Sequence, residues 1–201
     1  MNNDKDNKYN KLIESALQNA DNLFFDQAIS EFLKIIKNYP DDIKAYNHLS
    51  IIYHKNNNID LAINTLKQAL DKDPYNIDVL NNIAGFYIDK GNINEAFSYF
   101  YKMLKNDEYN SNAFRALSVN NAINLNDDIS LKFINKYETY RELIISNKLE
   151  KEKIEDLSNI AFALGFLFDK SEKYNKAFEY FLDANKLHRS LYKYEINIEK
   201  E

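Results

Sequence analysis

The chain has 201 residues, of which 45% are hydrophobic and 28% charged, with a net charge of −5 and no cysteine. This composition is that of a folded protein, and it excludes a disulfide framework, thiol catalysis and cysteine-ligated metal. No apolar run approaches the roughly 18 residues of a membrane span, and the N-terminus lacks the apolar core of a secretory signal. The sequence has no large basic stripe, and its one short group of cations, Lys186, His188, Arg189 and Lys193, is near the end of a predicted helix. We therefore expect a cytoplasmic protein that binds neither membranes nor nucleic acid.

Small residues recur along the first half of the chain at a constant interval: Ala28, Ala62 and Ala96. A large apolar residue follows each of them four positions later: Phe32, Leu66 and Phe100. Further apolar residues at three- and four-residue spacing predict two antiparallel helices in each period. We expect Ser50 and Ala62, which are small, to let the two helices of the second pair approach each other closely.

The turns and helix starts of each period carry their own signals. Asn57 and Gly91 stand between the two helices of a pair, where the turn requires a residue that tolerates positive φ. Asp41, Asn76 and Asn110 precede the next predicted helix, and we expect them to be its N-cap residues.

The C-terminal part repeats the same pattern after an insertion. The distance from Ala62 to Ala177 is three 34-residue periods plus 13 residues, which indicates an insertion of 13 residues between them. We place the insertion in a segment whose second helix, at about 127–146, is lengthened and has no small residue at the contact position. A charged turn is predicted at 148–156. The predicted organisation is a disordered tail at 1–8, three regular repeats at 9–110, an enlarged irregular repeat at 111–157, a final repeat at 158–191, and a tail or the start of a further domain at 192–201.

A 34-residue period with this pattern resembles the tetratricopeptide repeat (TPR). The resemblance implies an all-α fold, a right-handed superhelical solenoid of about five helix-turn-helix pairs. It also implies a non-catalytic scaffold that binds a protein or peptide in the concave groove lined by the first helix of each pair.

The C-terminal part carries a second set of motifs: Phe162-Ala163-Leu164-Gly165, Tyr174 with Ala177-Phe178, Asn185-Lys186-Leu187 with Arg189, and Tyr194. Together with the irregular repeat before them, these motifs resemble the N-terminal region of bacterial TPR-linked sulfotransferases. This resemblance implies an alternative function, that of a substrate-presenting or dimerising arm whose catalytic domain is not in this chain. A sulfotransferase binds its donor phosphate in a glycine-rich loop after a strand. No such loop is present, since Gly85 and Gly165 stand within predicted helices and Gly91 stands in the turn between two of them. We therefore predict no enzymatic activity and no cofactor.

The repeat register places a set of candidate binding residues on the first helices of the second and third repeats. They are Lys44, Asn47, His48, Ile51, His54, Lys55, Asp78, Asn81, Asn82 and Asp89. Asparagine suits this role because its amide both donates to and accepts from an extended peptide backbone. The two histidines are six residues apart, which is not the three- or four-residue spacing of two metal ligands on one helix face. No metal site is predicted.

The last predicted helix has more apolar residues than the helix before it can cover. Tyr180, Leu187 and Leu191 are the candidate interface residues of this region. Because exposed apolar patches usually mark an interface, we expect this face to bind a second copy of the chain, giving a homodimer, or to pack against a following domain.

Overall fold

The computed structural model describes residues 2–146 and 148–191, and every regular element in that part is a helix. The helices are α1 (Asn2–Asp21), α2 (Phe25–Asn38), α3 (Ile43–Lys55), α4 (Ile59–Leu70), α5 (Ile77–Asp89), α6 (Ile93–Asn106), α7 (Ser111–Val119), α8 (Asp128–Ile145), α9 (Lys151–Lys170) and α10 (Tyr174–Ser190). The predicted fold class, an all-α array of about five helix pairs, is confirmed for the described residues. Each of these helices is too short or too polar to cross a lipid bilayer.

The helices form two compact units. Unit 1 is Met1–Asn106 and contains α1 to α6, and unit 2 is Asp107–Glu201 and contains α7 to α10. Helix α1 begins at Asn2 and so includes residues for which we expected a disordered tail. The tail predicted at 192–201 lies outside the described residues.

Small residues bring the helices of unit 1 together. The pairs α1–α2, α3–α4 and α5–α6 pack closely, and α2 and α4 also pack against the helix that follows them. Ala28, Ala62 and Ala96 are fully buried in these contacts, and so is Ser50. With no side chain beyond Cβ or a single hydroxyl, these residues let the backbones approach while larger residues such as Phe32 fill the space around them. The predicted role of the small residues is confirmed.

The turn inside each pair of unit 1 repeats with the period seen in the sequence. Leu23, Asn57 and Gly91 have positive φ angles of 62°, 59° and 80°. The residue after each of them donates its backbone N–H to a carbonyl five residues earlier, with an N–O distance of 2.8 Å in all three turns. This bond is the mark of a Schellman C-cap, which satisfies carbonyl groups at the end of a helix. The predicted turn residues Asn57 and Gly91 are therefore confirmed.

Two of the three predicted N-caps are confirmed. The side-chain oxygens of Asn76 and Asn110 accept hydrogen bonds from the backbone N–H three residues later, at 3.2 and 2.9 Å. The third prediction, Asp41, is wrong by one residue. Asp42 caps α3 by accepting from the N–H of Ala45 at 3.3 Å, whereas the carboxylate of Asp41 pairs with Lys72 at 3.2 Å.

Unit 2 departs from the regular pattern at α8. Phe114 of α7 and Phe133 of α8 are fully buried and stack with their ring centroids 3.9 Å apart. The two rings lie between α7 and α8, while α9 packs mainly against α7 and α10. Ser130 of α8 stands one period after Ala96 and is fully buried, so the expectation that this helix has no small residue at that position is wrong. Helix α8 has the length expected from the sequence, but α9 begins at Lys151. Most of the charged turn predicted at 148–156 is therefore helical.

Candidate functional site

The predicted binding residues of unit 1 belong to α3 and α5, and we call the surface that they form the α3–α5 face. None of them belongs to the buried core. The half-buried members are Asn47, His48, Ile51, His54 and Asn82, and the exposed members are Lys44, Lys55, Asp78, Asn81 and Asp89. Helices α3 and α5 are neighbours in the unit, so the sequence register brings these side chains together.

Two asparagines connect the helices of this face. The Nδ2 of Asn82 donates to the Oδ1 of Asn47 across a distance of 2.8 Å. In the described part of the chain this is the one hydrogen bond that either side chain makes. Because an amide group has two N–H donors and a carbonyl acceptor, the pair keeps three donors and the Asn82 carbonyl for a ligand. The bond between the two amides also holds both side chains in place before any ligand arrives.

Open space adjoins the asparagine pair at Gly85, which follows Asn82 by one turn of α5. A Cβ atom built on Gly85 would meet no other atom within 4 Å. Ile51 on α3 and Ile88 on α5 are both half-buried on the same face. The face therefore combines a glycine with open space beside it, two half-buried apolar side chains and two ordered amides. These are groups that an extended peptide can contact.

Both histidines of the face make contacts between helices. The Nε2 of His54 lies 2.9 Å from the Oδ2 of Asp89, and its ring stacks on Phe86 at 4.5 Å. His48 stacks on Phe32 of α2 at 5.6 Å. Burial lowers the pKa of His48, with a smaller raising effect from Asp42 and a further lowering effect from Lys44. In the described residues no group of three His, Asp or Glu side chains is arranged to hold a metal ion.

The structure corrects the predicted C-terminal interface. Tyr180 and Leu187 are buried and Leu191 is half-buried, so they do not form an exposed patch. The hydroxyl of Tyr180 donates to Glu138 of α8 at 3.1 Å. Leu187 lines a small cavity of about 150 Å³ together with Ile144, also of α8. The lengthened α8 thus covers a part of α10 that we expected to be open.

The apolar residues of α10 that are exposed differ from the predicted interface residues. Tyr174, Phe178 and Leu182 are 62%, 64% and 53% exposed. Their spacing of four residues places them on one face of the helix. Sequence reasoning missed this face because it did not establish which side of α10 the lengthened helix α8 would cover.

Comparison with known proteins identifies the repeats. Two family models described as "Tetratricopeptide repeat" match residues 31–64 and 54–117. Residues 31–117 are thus similar to tetratricopeptide repeats, and this span includes α3 and α5. No curated protein matches the chain.

Solved structures share the fold over most of the chain. One is the MamA protein, with a TM-score of 0.55, 14% identity, and coverage of 92% of this chain and 96% of that one. Another is Pseudomonas aeruginosa pilF, with a TM-score of 0.57, 20% identity, and coverage of 94% of this chain and 78% of that one. At these identities the likeness is one of fold alone. These matches give no support to the sulfotransferase resemblance.

Proposed function

We propose that this chain is a non-catalytic TPR scaffold that binds an extended segment of a partner protein on the α3–α5 face of unit 1. The observation that carries the proposal is the Asn47–Asn82 amide pair beside the open position at Gly85. An extended backbone presents N–H and C=O groups to both sides, and the amide pair offers groups complementary to each. The non-catalytic part of the proposal rests on the sequence, which has no glycine-rich phosphate loop and no motif for an activated nucleophile.

The exposed charges on α3 and α5 have opposite signs, and this difference can orient a bound segment on the face. The exposed side chains Lys44 and Lys55 belong to α3, and Asp78 and Asp89 belong to α5. Charges at the rim of an interface select and orient a partner more than they add affinity. We therefore expect a bound segment whose acidic side chains lie toward α3 and whose basic side chains lie toward α5.

A displayed library of random dodecapeptides, selected on the full chain, tests this proposal. Gly85→Phe fills the open space with a ring and should abolish binding of the selected peptides. Asn82→Ala removes the ordered amide and should weaken binding by about tenfold, the scale of one or two lost hydrogen bonds.

Two variants serve as controls for this experiment. Gly85→Ala adds a methyl group where nothing is within 4 Å and should preserve binding. Gln68→Phe adds the same ring as Gly85→Phe to an exposed position of α4 and should also preserve it. Peptides that bind Gly85→Phe as well as the parent chain would show that the ligand lies elsewhere. No contact among the described residues favours the sulfotransferase-arm alternative.

A further inference from the structure

Unit 2 has a polar contact between its first helices that parallels the one in unit 1. The Nδ2 of Asn159 on α9 donates to the Oδ1 of Asn112 on α7 at 2.9 Å, between residues 47 positions apart. That separation equals one period of the repeat plus the insertion of 13. Arg115 and Phe162, which have the same separation, make the next contact along the two helices, with the guanidinium carbon 5.1 Å from the ring centroid. We call this surface the α7–α9 face.

Arg115 is held at two points on the α7–α9 face. Its NH1 donates to the Oδ1 of Asn159 at 2.9 Å, and its guanidinium carbon lies over the ring of Phe162. Asn159 and Phe162, which contact Arg115, are themselves restrained. Asn159 is only 8% exposed, and His188 of α10 contacts the ring of Phe162 edge-on. The usual entropy cost of ordering a long arginine side chain is therefore met before a ligand arrives.

The charge of Arg115 is not neutralised within the described part of unit 2. Arg141 of the same unit pairs with Glu138 at 3.0 Å and Glu179 at 3.6 Å, whereas no described carboxylate pairs with Arg115. Of the five N–H donors of a guanidinium, the bond to Asn159 uses one. Arg115 is exposed, so its remaining donors can bind a carboxylate in a two-point geometry.

Apolar side chains continue the face beyond Arg115. Val119 follows Arg115 by four residues on α7, and Phe166 follows Phe162 by four on α9, with exposures of 43% and 39%. Four residues of helix span about 6 Å. In an extended peptide, side chains two residues apart point to the same side and are about 7 Å apart. One peptide can therefore place a carboxylate on Arg115 and an apolar side chain at Val119 and Phe166.

We infer that the α7–α9 face binds an extended peptide through an aspartate or glutamate paired with Arg115, with a large apolar side chain two residues away. The carboxylate comes from a side chain and not from a peptide C-terminus, because the face continues on both sides of Arg115. Asn112 and Asn159 lie before it and Val119 and Phe166 after it. This inference concerns unit 2 alone and does not depend on the binding proposed for unit 1.

Synthetic peptides added to the isotopically labelled full chain test the inference by NMR. The probe is acetylated and amidated Ser-Gly-Glu-Ser-Phe-Gly-Ser, and its partner peptide has Gln in place of Glu. Only the Glu peptide should shift the amide signals of α7 and α9, and exchanging its Ser and Phe to give Glu-Phe-Ser should weaken the effect. Arg115→Gln should reduce affinity by about tenfold or more, since a charged hydrogen-bonded pair is lost. Arg189→Gln, which removes an exposed arginine elsewhere in unit 2, should leave affinity unchanged.

Further variants and peptides distinguish this binding mode from its alternatives. Asn159→Ala keeps the cation but removes the group that holds it, and it should weaken binding while Gly85→Phe of unit 1 leaves it intact. Equal shifts with the Glu and Gln peptides, or equal affinity for the parent chain and Arg115→Gln, would overturn the inference. So would binding of the Gln peptide only when its C-terminus is a free acid, because the carboxylate would then be terminal.

Discussion

The ring of Phe181 occupies the space that a side chain at Gly165 would need. A Cβ atom built on Gly165 would lie 2.5, 2.6 and 2.9 Å from three ring carbons of Phe181. Gly85 is also inside a helix, but a Cβ there would meet nothing within 4 Å. The two glycines therefore serve different purposes, since one permits close packing of α9 on α10 and the other leaves a surface open.

This difference predicts opposite effects of the same substitution. Gly165→Ala should lower the free energy of unfolding by about 1–3 kcal/mol, because overpacking exceeds the gain in helix propensity. Gly85→Ala should raise it by up to about 1 kcal/mol, the propensity gain alone. Denaturant unfolding of both variants measures the two values. Phe181→Leu should relieve part of the cost of Gly165→Ala in a double-mutant cycle, and equal effects of the two alanines would contradict the packing described for Gly165.

Leu23 is in an unfavourable backbone conformation. Its φ angle is 62°, and its side chain is 70% exposed, so it gains little from packing in return. A left-handed conformation costs a residue with a Cβ about 1 kcal/mol or more. Leu23→Gly should therefore raise the free energy of unfolding by about 0.5–1 kcal/mol, although glycine also adds entropy to the unfolded chain. Ser30→Gly, in the regular part of α2, is the control and should be destabilising; a loss of stability in both variants would show that Leu23 is not strained.

The turns show what the sequence can and cannot predict. Asn57 and Gly91 were predicted at positive φ because their residue types tolerate it, and Leu23 was not, although it stands one full period before Asn57. The period was a better guide than the residue type, because the geometry of the repeat overrides the local preference of leucine. The N-cap at Asp42 was missed for the same reason, since Asp42, Asn76 and Asn110 stand one period apart and the period selects Asp42 over the adjacent Asp41.

The two binding surfaces also show which features the sequence can predict and which it cannot. The register alone predicted that Asn47 and Asn82 share a face, but not that their amides bond to each other, because that depends on side-chain torsions. Arg115 was missed altogether. Its partner Asn159 lies 44 residues further along the chain, across an insertion that breaks the regular register. Only the packing of α9 on α7 brings them together.

His48 makes the stability of unit 1 depend on pH. Burial lowers the pKa of this histidine from its ordinary value of 6.5, so the fold favours the neutral ring that stacks on Phe32. The resulting stability is present above pH 6.5 and is lost as the pH falls through the lowered pKa of the folded state. NMR titration should show a midpoint below 6.5 for His48, assigned by its absence in His48→Phe.

The same variant tests the linkage to stability. Because phenylalanine keeps a ring against Phe32 but cannot be protonated, the free energy of unfolding of His48→Phe should fall less than that of the parent chain between about pH 7 and pH 5, the range in which histidine titrates. Carboxylates contribute similarly to both proteins, so the difference isolates His48. Parallel stability profiles in this range would contradict the burial described for the ring.

The last prediction concerns the exposed face of α10, formed by Tyr174, Phe178 and Leu182. Exposed apolar patches usually mark an interface. We therefore still predict self-association, but through this exposed face and not through Tyr180, Leu187 and Leu191. Light scattering should show association at high micromolar concentration that Phe178→Glu and Leu182→Glu weaken without lowering the melting temperature by more than a few degrees. These positions are 64% and 53% exposed, so a new charge there remains in contact with water.

Tyr180→Glu is the contrasting change on the same helix. Its side chain is buried, and its hydroxyl bonds to Glu138 at 3.1 Å. A carboxylate at this position would be removed from water and placed beside a like charge, which should destabilise unit 2 by about 3 kcal/mol or more. Thermal unfolding followed by circular dichroism distinguishes the two classes of variant. If Tyr180→Glu folded normally while Phe178→Glu unfolded, the assignment of the inner and outer faces of α10 would be reversed. If all three variants and the parent chain were monomers at every concentration, the outer face would not mediate self-association.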